Sequence, residues 1–212
     1  MEPEFWLKKW QADEIGFHQT EIHPLLIAHW SKLGILPGQR VLVPLCGKSH
    51  DLRWLADRGY EVIGFELSEL AVQAFFREQS LAPSVTEIPP FTRFSTPNVT
   101  IFCGDFWQAS PALCAPCDAV YDRAALIALA PPQRPHYLDV VRRLCLPQSR
   151  GLLITVEYPA EVVSPPPFSI PRAEVNALYQ AWADVRELER RVSEVKGRPA
   201  LEVAYAWGLR GN

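Results

Sequence analysis

The sequence predicts a single α/β domain built on a doubly wound, mostly parallel seven-stranded sheet, with an antiparallel C-terminal hairpin and a helical lid ahead of the first strand. Three observations carry that reading. Short apolar runs alternate with helix-period stretches from residue 40 onward. The last quarter of the chain changes to two extended segments around a Lys-Gly turn. The leading segment, "EFWLKKWQADEIGFH", is too aromatic for a disordered tail.

Residues 41–45 form a strand-like run, 52–57 a short helix and 61–65 a second strand. A helix over 69–79 places Leu70, Ala71, Ala74 and Phe75 on one face. Strands follow over 99–103 and 118–121, then a helix over 133–145 and a fifth strand over 151–157. After "SPPPFSIP" come a helix over 172–184 and two strands over 188–195 and 201–209, joined by the turn at 196–199. Five parallel strands closed by a reversed hairpin is the arrangement of class I methyltransferases. The 20 prolines sit between these elements and act as punctuation, not as a linker. One domain over 1–212 is expected, with residues 1–35 as the lid and 36–212 as the α/β core.

Composition narrows the function. With 212 residues, 48% of them hydrophobic, the chain is long enough to bury one substantial core. Its 21 Lys and Arg against 24 Asp and Glu give a net charge of -3, and no basic run tracks a phosphate backbone, so no nucleic-acid partner is expected. An acidic start and the lack of a long apolar stretch predict a soluble cytoplasmic protein with no membrane segment. A monomer is expected. Five cysteines, an odd number scattered along the chain, argue against a disulfide framework. Cys114 and Cys117 have metal-type and redox-type spacing, but no second such pair accompanies them and they open no helix after a strand. His18 and His23 lie five apart, which turns them from a common helical face, and both are expected at the surface or in packing. No metal site is expected.

The stretch "RVLVPLCGKSHDLRWLADRGYEVIGFELS" contains a Gly-Lys-Ser that invites a phosphate-loop reading. Counting back from Gly47 places the first glycine of such a loop at Leu42, inside the strand, so the motif fails. The dinucleotide pattern fails too, with one glycine in the turn. The position still counts: 44–49 is the loop at the C-terminal end of the first strand, where open parallel sheets bind ligands. Glu66, about twenty residues beyond Gly47, stands where a carboxylate accepts hydrogen bonds from both ribose hydroxyls; the alternative is an acid in a polar loop. Without a phosphate cradle, the nucleoside expected here carries an uncharged or cationic substituent, as S-adenosylmethionine does. Asp105 and the Phe106 ring, after the third strand, are placed to bracket an adenine. Arg123, after the fourth, either holds an amino-acid carboxylate bidentately or pairs with its neighbours Asp122 or Asp118.

The segments "FWLKKWQADEIGFH", "VLVPLCGKSHDLRWLADRGYEVIGFELS", "GDFW" and "YDRAALIALAP" resemble the thiopurine S-methyltransferase family, particularly its bacterial members, and the similarity spans essentially the whole chain. The resemblance implies a class I fold, S-adenosylmethionine as methyl donor and an aromatic or heterocyclic thiol as the small-molecule acceptor, with selenium or tellurium species as further acceptors. It also implies that Trp10, Leu45, Glu66 and Arg123 contact the cofactor, that Asp105 and Phe106 flank the adenine, and that Phe17 lies beside the acceptor. No catalytic acid or base is expected, because an aryl thiol is largely ionised near neutral pH and alignment of the reacting atoms supplies most of what the displacement needs. Aromatic walls suit a sulfonium and a flat heterocycle. Trp10 and Phe17 are candidates for such walls, with Trp6 assigned to packing. A non-catalytic nucleoside sensor using the same pocket is the alternative.

Overall fold

Side-chain alternation along the central strands dictates layers on both sides of the sheet. In β1 (Arg40–Val43), Leu42 faces one core cluster while Val41 and Val43 face another. In β2 (Glu61–Glu66), Ile63 and Phe65 join the first cluster and Val62 the second. Strands buried on both faces require helices over both. The computed structural model describes residues 3–159 and 161–209 and supplies them.

One face is covered by α2 (Pro24–His29), α3 (His50–Ala56) and α4 (Glu69–Glu78), which contribute Leu25, Leu26, Leu52, Leu55, Val72 and Phe75 to the second cluster. The other is covered by α5 (Arg134–Arg143) and α6 (Arg172–Tyr179), through Tyr137, Leu138, Val141, Val175 and Tyr179. Side chains start three of these helices: His23 Nδ1 accepts from the Leu25 N–H, Ser49 Oγ from the Asp51 N–H and Ser68 Oγ from the Ala71 N–H. The N-terminal helix α1 (Pro3–Gln11) differs from the rest in burying no residue.

The remaining strands are β3 (Ser84–Ile88), β4 (Phe91–Ser95), β5 (Val99–Cys103), β6 (Cys117–Arg123), β7 (Cys145–Glu157), β8 (Ala183–Val195) and β9 (Arg198–Leu209). Among the described residues they form one nine-stranded sheet in the order β3-β4-β5-β2-β1-β6-β7-β9-β8. The five central strands run parallel, and β9 and β8 close one edge antiparallel, as expected. The chain order reverses beside β1, which opens a crevice at the C-terminal strand ends.

Two corrections concern the sheet. It has nine strands instead of seven, because β3 and β4 add an antiparallel hairpin at the far edge. Four of the five β3 side chains are exposed and Pro89-Pro90 occupies the turn, so an edge ribbon leaves little apolar pattern to read. The helix expected over 172–184 ends at Tyr179, and β8 already begins at Ala183. The apolar run around Trp182 continues a helical pattern in sequence, but Ala183 pairs with Leu209 in the ladder.

The first 35 residues do not behave as one unit. Leu25, Leu26 and Trp30 are at most 1% exposed and sit in the core, leaving α1 and the loop after it as the covering segment. Among the described residues no helix is long and apolar enough to cross a membrane.

Candidate active site

At the C-terminal ends of β1, β2 and β6 lies a cavity of about 780 Å³, within the range of small-molecule sites. All seven residues singled out from the sequence line it: Trp10, Phe17, Leu45, Glu66, Asp105, Phe106 and Arg123.

Its floor is the loop after β1. Leu45 (φ 47°) and Gly47 (φ 54°) both take left-handed backbone conformations, and the Cys46 N–H donates to the Phe65 carbonyl at 2.9 Å, fixing the turn to β2. Glu66, 6% exposed, accepts from the Gly47 N–H through Oε2 and from the Ser68 N–H through Oε1, each at 2.8 Å. Burial pushes its pKa up, opposed by the N–H groups of Ser68, Gly47 and Leu67. A carboxylate offers about four lone-pair sites, so two hydrogen bonds leave acceptor capacity for a ligand. This is more than an acid in a polar loop: the backbone of two loops holds it in place.

Asp105 Oδ1 accepts from the Trp107 N–H at 3.1 Å and caps the short turn Phe106–Gln108. The Phe106 ring is only 4% exposed and packs between Phe65 and Tyr137, with centroids at 5.3 and 5.6 Å. It serves the core as much as the cavity. Trp107, not singled out from sequence, stacks on His136 at 5.1 Å and also reaches the cavity.

Arg123 pairs with neither Asp122 nor Asp118, and strand geometry is the reason. Successive side chains of β6 point to opposite faces. Tyr121 and Arg123 both reach Asp51, whereas Asp122 bonds the Tyr137 hydroxyl (2.7 Å) and the Leu126 N–H (3.1 Å) on the other side. Asp118, near the far end of the strand, accepts from the Arg40 N–H at 2.9 Å. Arg123 Nη2 donates to Ser49 Oγ at 3.0 Å and to Asp51 Oδ2 at 3.3 Å, and Nη1 makes a long 3.5 Å contact with the Phe17 carbonyl.

Over this floor lies α1. A Cβ added to Gly47 would stand 3.2 Å from Trp10 Cζ2, so the indole rests directly on the loop. Trp6 and Trp10 each meet Phe17 edge to face, at 5.6 and 5.5 Å. Trp6 lines the cavity as well, so packing alone does not set it apart from Trp10. His18 lines the cavity beside His50, with burial as the first cause of its lowered pKa, while His23 is fully buried, caps α2 and bonds Glu202 at 3.0 Å. Lys48 is paired with Glu78 at 2.8 Å.

The opposite end of the cavity was not legible from sequence. Ile127, Val156, Pro165 to Pro167 and Val195 wall it, the Tyr158 hydroxyl bonds the Pro167 carbonyl, and Lys196 Nζ donates to the Ser164 carbonyl at 2.8 Å. In sequence these prolines and the Lys-Gly turn read as punctuation; only the proximity of the β8–β9 turn to that loop makes them a wall. The five cysteines are free, and Cys117 sits at the start of β6 paired with Cys145 of β7, at the far end of β6 from Arg123. Among the described residues no group of three or more His, Cys, Asp or Glu is arranged to hold a metal.

The donor set fits S-adenosylmethionine: a buried acid at the end of β2, an arginine at the end of β6, aromatic rings above, and a lysine already neutralised where a phosphate would need it. Comparisons with known proteins agree. The fold resembles a Burkholderia thailandensis 1,6-didemethyltoxoflavin-N1-methyltransferase (TM-score 0.68, 14% identity, 99% of this chain and 87% of that one). It also resembles the magnesium protoporphyrin IX methyltransferase of Synechocystis PCC 6803 (TM-score 0.65, 12% identity, 99% and 100%). In sequence, the chain is 46% identical over 202 residues to a thiopurine S-methyltransferase of Pseudomonas entomophila strain L48, covering 95% of this chain and 90% of that protein. It is 49% identical over 191 residues to that of Pseudomonas fluorescens strain Pf0-1, covering 90% and 88%. The family model for thiopurine S-methyltransferase matches residues 1–204, and the chain therefore belongs to that family of S-adenosylmethionine-dependent methyltransferases.

Proposed function

We propose that the cavity seats S-adenosylmethionine along the loops after β1, β2, β5 and β6, and an aromatic or heterocyclic thiol beneath α1 beside Phe17, so that the chain methylates the thiol sulfur. The observation that carries this reading is Glu66: a buried carboxylate, locked by the Gly47 and Ser68 N–H groups and bordering the cavity, suits a ribose diol. When bound, S-adenosylmethionine supplies an electrophilic methyl group on a sulfonium.

The residues of the chain bind, orient and exclude water. Glu66 accepts from the ribose, Asp105 and Phe106 flank the base, and Arg123 offers its guanidinium to the amino-acid carboxylate. Trp10, seated on Gly47, presents an aromatic surface of the kind that attracts a cationic sulfur. Trp6, Phe17, Ile127 and the 165–167 prolines enclose a flat acceptor. Positioning replaces acid–base work, since an ionised thiolate needs no base and a dry, aligned site supplies several kcal/mol by proximity. Selenium or tellurium nucleophiles fit the same logic. The reading includes a monomeric enzyme of the cytoplasm.

Incubation with methyl-labelled S-adenosylmethionine and a panel of aryl and heterocyclic thiols tests it. Methylated thiol is the expected product; saturable binding of the cofactor with no product from any member would favour a nucleoside sensor instead.

A further inference from the structure

Asp51 has no role in the scheme above, yet it is among the most buried charged groups in the chain, at 1% exposure. A carboxylate that deep must be fully partnered to be tolerated. Its partners come from two distant parts of the chain. Oδ1 accepts from the His23 N–H at 2.9 Å, where the covering segment joins the core. Oδ2 accepts from the Tyr121 hydroxyl at 2.9 Å and from Arg123 Nη2 at 3.3 Å. Ser49, two residues earlier, accepts from the Asp51 N–H at 3.2 Å and from the same Nη2 at 3.0 Å.

We propose that Asp51 is the positioning residue of Arg123, fixing the guanidinium toward the amino-acid end of the cofactor and tying that end of the cavity to the base of the covering segment. The proposal rests on the reading that Arg123 holds the cofactor carboxylate. An arginine side chain samples many rotamers, and its planar fork is useful only when its plane is set in advance. Asp51 and Ser49 together take the Nη2 side. The Tyr121 side chain also borders the guanidinium. Among the described residues the Nη1 hydrogen bond is the long Phe17 contact, and that side is left to a ligand carboxylate. Tyr121 holds Asp51 from the same face of the same strand that carries Arg123, so acid and base are both referred to β6.

Binding calorimetry on the full chain with two ligands tests this. S-adenosylhomocysteine carries the amino-acid carboxylate; 5′-methylthioadenosine keeps the adenosine and thioether and lacks it. Asp51→Asn leaves Nη2 facing an amide where a carboxylate stood. It is expected to weaken S-adenosylhomocysteine about tenfold while methylthioadenosine stays within about twofold. Arg123→Met should show the same selectivity, and Asp51→Asn should add nothing on top of it. If Arg123→Met weakens both ligands equally, the reading of Arg123 fails. If Arg123→Met is selective but Asp51→Asn is not, whether it weakens both ligands alike, neither, or tightens the first, the positioning role alone is overturned. Should Asp51→Asn not fold, Ser49→Ala takes its place: a selective loss of about threefold supports the role, and an unselective or absent effect overturns it.

Discussion

The Gly47 N–H donates to Glu66 Oε2 at 2.8 Å, which ties the loop after β1 to the acid at the end of β2. A carboxylate is required there because Ser68 donates to the other oxygen at the same time. Glu66→Gln keeps the shape and turns an NH2 group toward one of those N–H donors, besides losing an acceptor for ribose. The expected loss of S-adenosylmethionine affinity is about 1.5 to 3 kcal/mol, roughly ten- to a hundredfold. Calorimetry showing an unchanged dissociation constant would remove Glu66 from the ribose.

Asp122 neighbours Arg123 in sequence and faces the opposite side of the sheet. Burial pushes its pKa up from 3.8 to about 6, against the opposing hydrogen bonds of Tyr137 and Leu126. An acid whose pKa is higher in the folded state stabilises the fold when protonated. Its contribution is complete below about pH 4 and is lost as the pH rises through about 6. A shift of that size corresponds to something on the order of 3 kcal/mol. Asp122→Asn cannot ionise, so its stability relative to the wild type should rise between about pH 4 and pH 6 in urea titrations and level off above that. A difference that stays flat over that range would show that Asp122 does not carry the effect.

Much of the fold was legible because the parallel strands are short apolar runs separated by helix-period segments, and Leu42 against Val41 and Val43 is the same alternation seen in space. Leu45, Glu66, Asp105, Phe106 and Arg123 converge on one cavity because open parallel sheets gather their strand ends on one rim, and Trp10 and Phe17 reach it from the covering segment above. What escaped the sequence depended on contacts between distant segments. Asp51 reads locally as an ordinary first-turn helix acid, and its partner Arg123 lies 72 residues away. The wall made by Pro165 to Pro167 and Lys196 likewise exists only because the β8–β9 turn folds against that loop. The β3–β4 hairpin escaped because its outer strand is nearly all exposed.

The Gly-Lys-Ser after β1 should not confer nucleotide binding. Leu42 is fully buried in the strand where a phosphate loop has its first glycine, and Lys48 is paired with Glu78 at 2.8 Å. ATP is expected neither to bind in the micromolar range nor to be hydrolysed. Saturable, magnesium-dependent ATP binding that disappears in Lys48→Ala would restore the phosphate-loop reading.

The covering segment offers the sharpest test of mechanism. No residue of α1 is buried, so the helix contributes little to the core, yet Trp10 rests on Gly47, which in turn holds Glu66. A segment with that placement is expected to act as a lid. Deleting residues 1–18 should leave the sheet folded, by circular dichroism and thermal unfolding, while cofactor affinity and turnover collapse together as water enters the site. A truncated protein that melts much earlier but binds normally would make the segment mere packing. Single substitutions refine the point. Both indoles meet Phe17, but the Gly47 contact belongs to Trp10. Trp10→Ala should therefore raise the cofactor dissociation constant about tenfold, the combined scale of an aromatic contact and a desolvated cation–π interaction, and Trp6→Ala about twofold. Saturating S-adenosylhomocysteine should also slow proteolysis within the first 18 residues. Equal effects of the two tryptophans on binding, or an N-terminus cut equally fast with and without ligand, would count against closure over the cofactor.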